Sequence, residues 1–272
     1  MNPVKKLFSL SLLIVLLMPF QLKAQNVIAL SIKRQHAILY YPHLVERFYQ
    51  QNGNKLAWIA PDTVKTHAWD AMLLLDCIKQ YGLNHDDYHA DLLLYPTLHR
   101  LIENGSDRKK ATYDILLTDA IIRLINDLHY GKLNPVYTET RIDASTLFKA
   151  DAVLLLALQS NAFLTCIDEV QPNAKLYVDL QDHMRLLVGQ RSGDCYVIPQ
   201  GLIRKMAINM ERLRWISTTG KRVHLTLVVR EGIVINYPDV YHQDKQLEAL
   251  LYNESQKQNK LFNLNKTISS KL

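Results

Sequence analysis

Residues 109–130 read KKATYDILLTDAIIRLINDLHY, with no glycine or proline among them. The apolar side chains recur three and four positions apart, which is the spacing of one face of an α-helix: Tyr113, Leu116, Leu117, Ala120, Ile121, Leu124, Ile125 and Leu128. Gly131 ends the predicted helix, and Pro135 prevents its resumption. Leucine-rich stretches and only nine Gly and nine Pro in 272 residues extend this pattern to a mainly α-helical fold.

The remaining elements follow from the same patterns. Helices are predicted over about 42–51, 65–81, 90–104, 144–159, 174–188 and the second half of 198–214. Near the C-terminus, apolar and polar residues alternate over 223–229, and a second apolar run, 233–237, follows the turn signal Glu231-Gly232. This pattern predicts a small C-terminal β-hairpin, and Asp244 can cap a terminal helix after it.

The N-terminus has the pattern of a signal peptide. Lys5 and Lys6 precede an apolar run over 7–20, and Ala24 supplies a small residue before Gln25. The run is short for a bilayer-spanning helix, so an uncleaved anchor is the weaker alternative. We therefore expect cleavage between Ala24 and Gln25, a periplasmic protein, and membrane contact only through residues 1–24 before cleavage.

Charge and composition exclude some partners. The predicted signal peptide contains three lysines and no acidic residue, so the formal net charge falls from +6 to +3 without it. No basic run has interleaved aromatic residues, which makes nucleic acid a poor candidate partner. Hydrophobic residues form 48% of the chain, enough for a buried core, and residues 256–272 form a polar, lysine-rich tail.

Three cysteines, Cys77, Cys166 and Cys195, cannot all pair with one another. The apolar sequence around Cys77 and Cys166 favours buried thiols that act as small hydrophobic residues. A bridge between Cys166 and Cys195 stays open as an alternative, since exported proteins carry disulfides.

Four segments in a fixed order carry a family resemblance. They are FYQQNG with LAWI (48–53 and 56–59), YGLNHDDYH (81–89), LLTDA through DLHYGKLNP (116–135) and NMERLRW (209–215). Together they resemble the scaffold region of the large periplasmic L,D-transpeptidases, in which a helical scaffold precedes a catalytic domain. The resemblance covers about residues 40–215. Its motif residues, expected to be structural, are Trp58, Gly82, Tyr88, His89, Asp119, Gly131, Pro135, Asn209, Glu211, Arg212, Arg214 and Trp215.

The family's catalytic signature is Ser/Thr-His-Gly-Cys, in which the Cys thiolate forms a thioester and an upstream His acts as the base. This sequence contains no His-Gly dipeptide, and none of its cysteines follows a glycine. Residues 216–255 look like the last hairpin and helix of the catalytic domain. The resemblance therefore implies a signal peptide (1–24), a helical scaffold domain (25–215), a catalytic-domain remnant (216–255) and a tail (256–272), with the catalytic core missing.

The segment Ser192-Gly193-Asp194-Cys195 imitates the signature without its histidine. Cys195 with His183 as base would make the protein a cysteine-dependent acyltransferase or hydrolase acting on peptidoglycan peptides. The neighbouring Asp194 raises the pKa of the thiol, which opposes nucleophilic reactivity. The segment also precedes the 209–215 motif, whereas the family's nucleophile follows it. We therefore expect no catalytic residue here.

Other polar groups have structural interpretations. His85, Asp86, Asp87 and His89 are metal-capable, but their spacing is loose, and Asp86 or Asp87 as a helix cap explains them more simply. Glu211, Arg212 and Arg214 could bind an anionic glycan, and Trp58, Trp69 and Trp215 could stack on sugars. Ion pairs that lock the last helix, and tryptophans in or beside the core, are the favoured interpretations.

The sequence thus predicts a non-catalytic, degenerate L,D-transpeptidase-like scaffold protein of the cell envelope, related to peptidoglycan cross-linking and remodelling. It predicts no cofactor and no metal. The expected partner is peptidoglycan or an intact L,D-transpeptidase. A truncated remnant without function is a further alternative.

Overall fold

The computed structural model describes residues 27–60, 66–145, 147–189, 200–219, 227–230 and 233–236. This part of the chain is mainly helical, as predicted. The helices in chain order are α1 (27–35), α2 (Pro42–Gln51), α3 (Ala68–Asp76), α4 (Tyr95–Asn104), α5 (Asp107–Tyr130), α6 (Glu139–Asp143), α7 (Ala150–Gln159), α8 (Phe163–Asp168), α9 (Lys175–Gly189) and α10 (Gln200–Thr219). Two 3₁₀ turns, Ile78–Tyr81 and His85–Asp87, lie between α3 and α4.

Two short strands follow α10. β1 (Leu227–Arg230) pairs antiparallel with β2 (Ile233–Asn236), and Leu227 lies opposite Asn236. The turn between the strands and the predicted terminal helix lie outside the described residues. The C-terminal hairpin with its following helix therefore stays a prediction as a unit.

α5 lies at the centre of the fold. α2, α4, α7 and α10 pack around it, and every side chain from Tyr113 to Leu128 is buried. The predicted single apolar face is therefore too narrow, since Ile115 and Ile122, which lie off that face, are also fully buried. A helix enclosed on all sides must satisfy its polar side chains inside the protein.

Asp114 is the first of these polar side chains. Its carboxylate accepts hydrogen bonds from the backbone N–H groups of Ala57, Trp58 and Ile59, at 2.9, 2.9 and 3.1 Å, and from the Tyr49 hydroxyl at 2.5 Å. Burial raises the pKa of Asp114, and the four donors oppose that rise by stabilising the ionised form. Asp114 thereby fixes the extended segment after α2 against α5.

Asp119 binds the segment before α2 in the same way. It accepts from the backbone N–H groups of Tyr40 and Tyr41, both at 2.9 Å, and it is fully buried. The two carboxylates lie five residues apart on one helix. The chain from residue 40 to residue 59 is therefore bound to α5 at both ends of α2.

The N-terminus of α2 takes its cap from a distant helix. Pro42 occupies the first turn, and the Asp143 carboxylate of α6 accepts from the backbone N–H groups of His43 and Leu44, at 3.2 and 2.9 Å. A helix N-terminus favours a carboxylate because its first N–H groups have no partner within the helix. One turn later Arg47 makes a bidentate ion pair with Asp151 of α7.

Several predicted boundaries are wrong. α3 ends at Asp76, and 3₁₀ geometry continues to Tyr81. α4 begins at Tyr95, because Pro96 takes the first-turn position and residues 88–92 form turns. The helix predicted over 144–159 begins only at Ala150, as α7, whereas α6 ends at Asp143, before the predicted range. α10 continues beyond Trp215 to Thr219, and α1, α6 and α8 were not predicted.

The shorter α3 changes the environment of a cysteine. Cys77 is the C-cap residue of α3 and is exposed, so the prediction of a buried thiol is wrong there. Cys166 in α8 is partly buried. Both thiols are free, and Cys195 lies outside the described residues.

α9 and α10 form a second layer against one end of the α5 body. Between them lies a separate small apolar core that includes Leu180, Met184, Met206 and Met210. α10 also packs on α5, and α9 on the 3₁₀ turn after α3. The junction between this layer and the body contains most of the motif residues of the 209–215 segment.

Replacing Asp114 with alanine removes the acceptor for three backbone N–H groups and for the buried Tyr49 hydroxyl, so we expect a loss of roughly 3–5 kcal/mol in unfolding free energy. The Asp91→Ala chain is the matched control, because Asp91 is exposed and its loss is expected to change stability by less than about 0.5 kcal/mol. Urea denaturation followed by circular dichroism measures both. Equal midpoints for the two variants would contradict the role given to Asp114.

Candidate functional site

The motif residues of α10 form a buried junction, here called the α10 anchor, built from Arg214, Glu211 and Trp215 with their partners. Arg214 is fully buried. Its Nη2 donates to the backbone carbonyl of Tyr81 at 2.8 Å, and its Nη2 and Nε donate to the Tyr177 hydroxyl at 2.8 and 3.1 Å. One guanidinium therefore joins α10 to α9 and to the 3₁₀ turn after α3.

The charge of Arg214 is stabilised inside the junction. Burial works to lower the pKa of the guanidinium, and the nearby Tyr177 and Glu211 outweigh it, so that the pKa lies above its ordinary value. Glu211 Oε2 lies 3.6 Å from Arg214 Nη1. The sequence favours ion pairs that lock the last helix. The contacts of Glu211 and Arg214 support that interpretation. Asn209 and Arg212 are also buried in α10.

Gly131 gives Glu211 and Trp215 the space they occupy. Glu211 Oε1 accepts from the Leu133 backbone N–H at 2.6 Å and from Trp215 Nε1 at 2.9 Å. Gly131 ends α5 with a φ of 86°, and a Cβ there would lie 2.7 Å from both Glu211 Oε1 and Trp215 Nε1. Only glycine fits this position without displacing the α10 anchor.

Gly82 makes the matching contact on the other side of α10. It follows the 3₁₀ turn with a φ of 71°, in the left-handed region, and caps it as predicted. A Cβ at Gly82 would lie 2.9 Å from the Cα of Ala207. Two motif glycines that are far apart in the sequence thus both allow α10 to approach the body closely.

A network of mostly buried polar groups extends from the α10 anchor along α5. The Tyr88 hydroxyl donates to Asp127 at 2.6 Å. Arg123 lies 3.7 Å from Asp127 and 3.0 Å from Glu139. The guanidinium of Arg123 also stands 3.6 Å from the centre of the Tyr40 ring, a cation–π contact. The network connects the N-terminal segment to the end of α5.

Asp127 has an unusual protonation equilibrium within this network. Burial raises its pKa to about 6, against the lowering effects of Arg123, of the Tyr88 hydroxyl and of Lys132. Glu211 of the α10 anchor adds a further rise through charge repulsion. The α10 anchor and the α5 network are therefore electrostatically coupled.

The metal-capable side chains of residues 85–89 have separate partners. His89 Nε2 lies 2.7 Å from Asp119, Asp87 accepts from Lys132 Nζ at 2.7 Å, and His85 lies 3.6 Å from Asp76. Among the described residues, no three His, Cys, Asp or Glu side chains come together as metal ligands would.

The capping interpretation of Asp86 and Asp87 is also wrong in detail. Asn84 is the cap of the short turn, since its side chain accepts from the Asp86 backbone N–H at 3.4 Å. His89 has a φ of 53°, a left-handed conformation that few residues other than glycine adopt. Its ring packs on Tyr40, with 4.7 Å between ring centroids, and its contact with Asp119 holds it in place.

The three tryptophans have different environments. Trp58 is fully buried and donates from Nε1 to the Thr118 hydroxyl at 2.9 Å, and Trp215 is partly buried in the α10 anchor. Trp69 is 43% exposed, so its placement in or beside the core is wrong. Its ring stacks on that of Tyr95, with 5.8 Å between centroids and 11° between planes.

An open pocket of about 550 Å³ lies beside the C-terminal end of α10. Its walls include His129, Phe148, Cys166, Val170 and Thr218. The His129 ring stacks on Phe148 at 3.8 Å, its Nδ1 lies 3.2 Å from the Val170 carbonyl, and burial lowers its pKa. The His129 imidazole is thus favoured in its neutral form, and it forms one wall of a largely apolar cavity.

Three predicted site residues, Ala24, Gln25 and Cys195, lie outside the described part of the chain. Pro135 is exposed in the turn after α5, as a helix-stopping proline should be. The sequence interpretation missed Tyr177, Arg123 and Lys132. Charged residues within the apolar stretch 113–128 were the available signal for Arg123, since a charge inside such a stretch needs a buried partner.

The sequence model of the family described as Scaffold domain matches residues 43–184, just over half of the chain. The chain belongs to the Scaffold domain family. The matched range runs from α2 into α9 and agrees with the resemblance to the scaffold region of L,D-transpeptidases. No curated protein and no solved structure shows a significant match. Within the described part of this scaffold domain, no helix combines the length and apolarity needed to cross a bilayer.

The two motif glycines of the scaffold domain provide a test of the α10 anchor. Gly131→Ala combines a strained φ with contacts of 2.7 Å, and Gly82→Ala a left-handed φ with a 2.9 Å backbone contact. We expect each to lower the unfolding free energy by roughly 2–4 kcal/mol. Gly201→Ala is the control, since a Cβ there meets nothing within 4 Å and alanine stabilises a helix by about 0.5–1 kcal/mol. Thermal melts of the three variants give the comparison, and a stable Gly131→Ala chain would contradict the anchor.

Asp127 predicts a pH dependence of stability. Its pKa rises from 3.8 in the unfolded chain to about 6 in the folded one, so folding favours its protonated form. This contribution is fully present below pH 3.8 and is lost as the pH rises through 6. Relative to Asp127→Asn, which keeps an acceptor for Tyr88, the natural chain should lose on the order of 2–3 kcal/mol between pH 4 and pH 7. Urea denaturation at each pH gives the two curves, and parallel curves would refute the shift.

Proposed function

We propose that this protein is a non-catalytic scaffold protein of the cell envelope, related to peptidoglycan cross-linking and remodelling by L,D-transpeptidases. The observation that carries the proposal is the Scaffold domain match over residues 43–184 together with the transpeptidase-like motifs. The described motif residues that make contacts bind other parts of the fold: Trp58 binds Asp114 and Thr118, Tyr88 binds Asp127, and Arg214 binds Tyr81 and Tyr177. Motif residues that hold the helices of the fold in place support a protein that binds or positions a partner.

The thiols support a non-catalytic role. A nucleophilic cysteine needs an electropositive neighbourhood that stabilises the thiolate. Cys77 follows Asp76 directly, and Cys166 lines the pocket that Glu169 also lines. Cys195 follows Asp194, and no cysteine has the His-Gly neighbours of the family's signature. A cysteine-dependent acyltransferase is therefore the less favoured function.

The location and the C-terminal region complete the proposal. We infer that residues 1–24 direct export to the periplasm and are then removed. We also infer that residues 216–255, including β1 and β2, retain the far end of a catalytic domain as a hairpin and a helix. The partner is then peptidoglycan itself or an intact L,D-transpeptidase that lacks none of its catalytic residues.

Co-sedimentation of the chain from Gln25 onward with purified sacculi, and a pull-down from envelope extract, test this function. We expect retention on sacculi at about 0.15 M salt, or enrichment of an L,D-transpeptidase from the extract; binding that persists at higher salt excludes simple charge attraction. The Asp114→Ala chain controls for adsorption of unfolded protein. Retention on neither material would contradict the proposal.

A carbapenem-type acylating probe distinguishes a cysteine-dependent acyltransferase from a non-catalytic scaffold protein. The probe forms a stable adduct with an activated cysteine, and we expect no stoichiometric adduct by intact-protein mass spectrometry. An adduct that disappears in the Cys195→Ala chain would overturn the non-catalytic assignment and establish the acyltransferase.

A further inference from the structure

Four large apolar side chains are exposed together on one side of the fold, here called the α3–α4 surface: Trp69, Leu73, Leu92 and Leu94. Their exposed fractions lie between 43% and 54%. Trp69 and Leu73 are one turn apart on α3, where residues four positions apart share a face. The segment that contains Leu92 and Leu94 leads directly into Tyr95, on which Trp69 stacks. The four side chains are therefore exposed on two adjoining segments, α3 and the residues that lead into α4.

The packing beneath the patch is fixed. The Tyr113 hydroxyl of α5 lies 3.3 Å from Met72 Sδ and 3.5 Å from the Leu94 carbonyl, which holds the Leu94 backbone beside α3. The Tyr95 hydroxyl donates to Asp76 at 2.7 Å, so the ring under Trp69 is also held in place. A contiguous apolar patch on rigid elements is typical of a surface that another segment covers.

The surroundings of the α3–α4 surface are acidic. Residues 66–95 contain five aspartates and one lysine, Lys79. Asp87 is neutralised by Lys132, while Asp76 and Asp91 are exposed. An occupant of this surface should therefore present apolar side chains together with positive charge.

The chain itself contains such a segment. Residues 257–272 read KQNKLFNLNKTISSKL, with four lysines and no acidic residue. Leu261, Leu264, Ile268 and Leu272 recur at intervals of three and four, the spacing of one helical face. A short isolated helix is marginal in water, so this segment gains a stable helix only by packing on a partner surface.

The connection is long enough for the segment to reach the surface. Twenty residues separate Asn236 at the end of β2 from Lys257. With residues 244–255 in the inferred helix, at about 1.5 Å per residue, and the other eight extended, they span up to roughly 45 Å. β1 packs on α9, and α9 packs on the 3₁₀ turn after α3, so a connection of this length reaches the α3–α4 surface. A covalent connection of this length gives an effective concentration up to about the millimolar range, so even weak docking is populated.

We propose that residues 257–272 dock in cis on the α3–α4 surface as a basic amphipathic helix. The apolar stripe covers Trp69 and the three leucines, and the lysines face the surrounding aspartates, the helix-in-groove mode of recognition. Docking keeps the apolar surface from water and from other envelope components until a competitor displaces the segment. This inference goes beyond the scaffold function and does not depend on the identity of its partner.

Acrylamide quenching of tryptophan fluorescence tests the docking, because Trp69 is the most exposed of the three tryptophans in the described structure. Removal of residues 257–272 should increase the quenching constant about twofold or more, and the change should disappear in the Trp69→Phe background. A synthetic peptide of residues 257–272 added to the shortened chain should restore protection. Equal quenching of the full and shortened chains would overturn the proposal.

Two full-length variants separate the apolar contribution to docking from the electrostatic contribution. Replacing Leu261, Leu264, Ile268 and Leu272 with serine should remove protection at any salt concentration. Replacing the four lysines with glutamine should weaken it most at low salt, where charge attraction is least screened. Protection that grows with protein concentration would overturn docking in cis in favour of a second copy. Sacculus binding in the same preparations is measured separately, so a failure here leaves the scaffold function standing.

Discussion

Asp114 and Asp119 are buried carboxylates that bind backbone N–H groups on both sides of α2, and the position of the N-terminal third of the fold depends on them. A buried charge is unfavourable unless hydrogen bonds replace the lost water. Here the replacement comes from five backbone donors and the Tyr49 hydroxyl. The two acceptors hold both ends of this segment on α5, and the buried side chains of α2 fix its register between them.

The α10 anchor applies a different constraint at the other end of α5. Gly82 and Gly131 allow α10 to pack closely on the body of the fold. Arg214 fixes its position by hydrogen bonds to the Tyr81 carbonyl and the Tyr177 hydroxyl. Shape and polarity thus specify the same docking geometry. The α9–α10 layer also has its own small apolar core, which includes Met184, Met206 and Met210 and adds apolar burial to the polar contacts of the anchor.

Local signals in the sequence were sufficient for α2 and α5. Pro42 and Gly131 mark their ends, and the apolar spacing marks their course, because each depends on residues within a few turns. The same signals failed at residues 144–159, where the break before Ala150 has no local breaker. They failed again at Cys77 and Trp69, since the end of α3 decides which side chains face water. Apolar periodicity identifies a helix or a strand, while the exposure of a side chain depends on neighbours that are distant in the sequence.

The motif residues show a similar division. The resemblance gave the motif positions, and a structural role for Glu211 and Arg214 was expected from the sequence. Their partners were not, because Tyr177 and the Tyr81 carbonyl carry no distinctive pattern. Burial, three charged neighbours and the Tyr88 hydroxyl together shift the pKa of Asp127, and these groups come from different segments of the chain.

The long sequence separation of the carboxylate contacts has a consequence for the order of folding. The acceptors for residues 40–59 lie 55 to 104 positions later in the chain, ending at Asp151 for Arg47. During synthesis the N-terminal helices therefore emerge long before the side chains that hold them. Such non-local contacts form late, and they slow folding. The carboxylates that fix residues 40–59 are therefore available only once α5 to α7 have been synthesised.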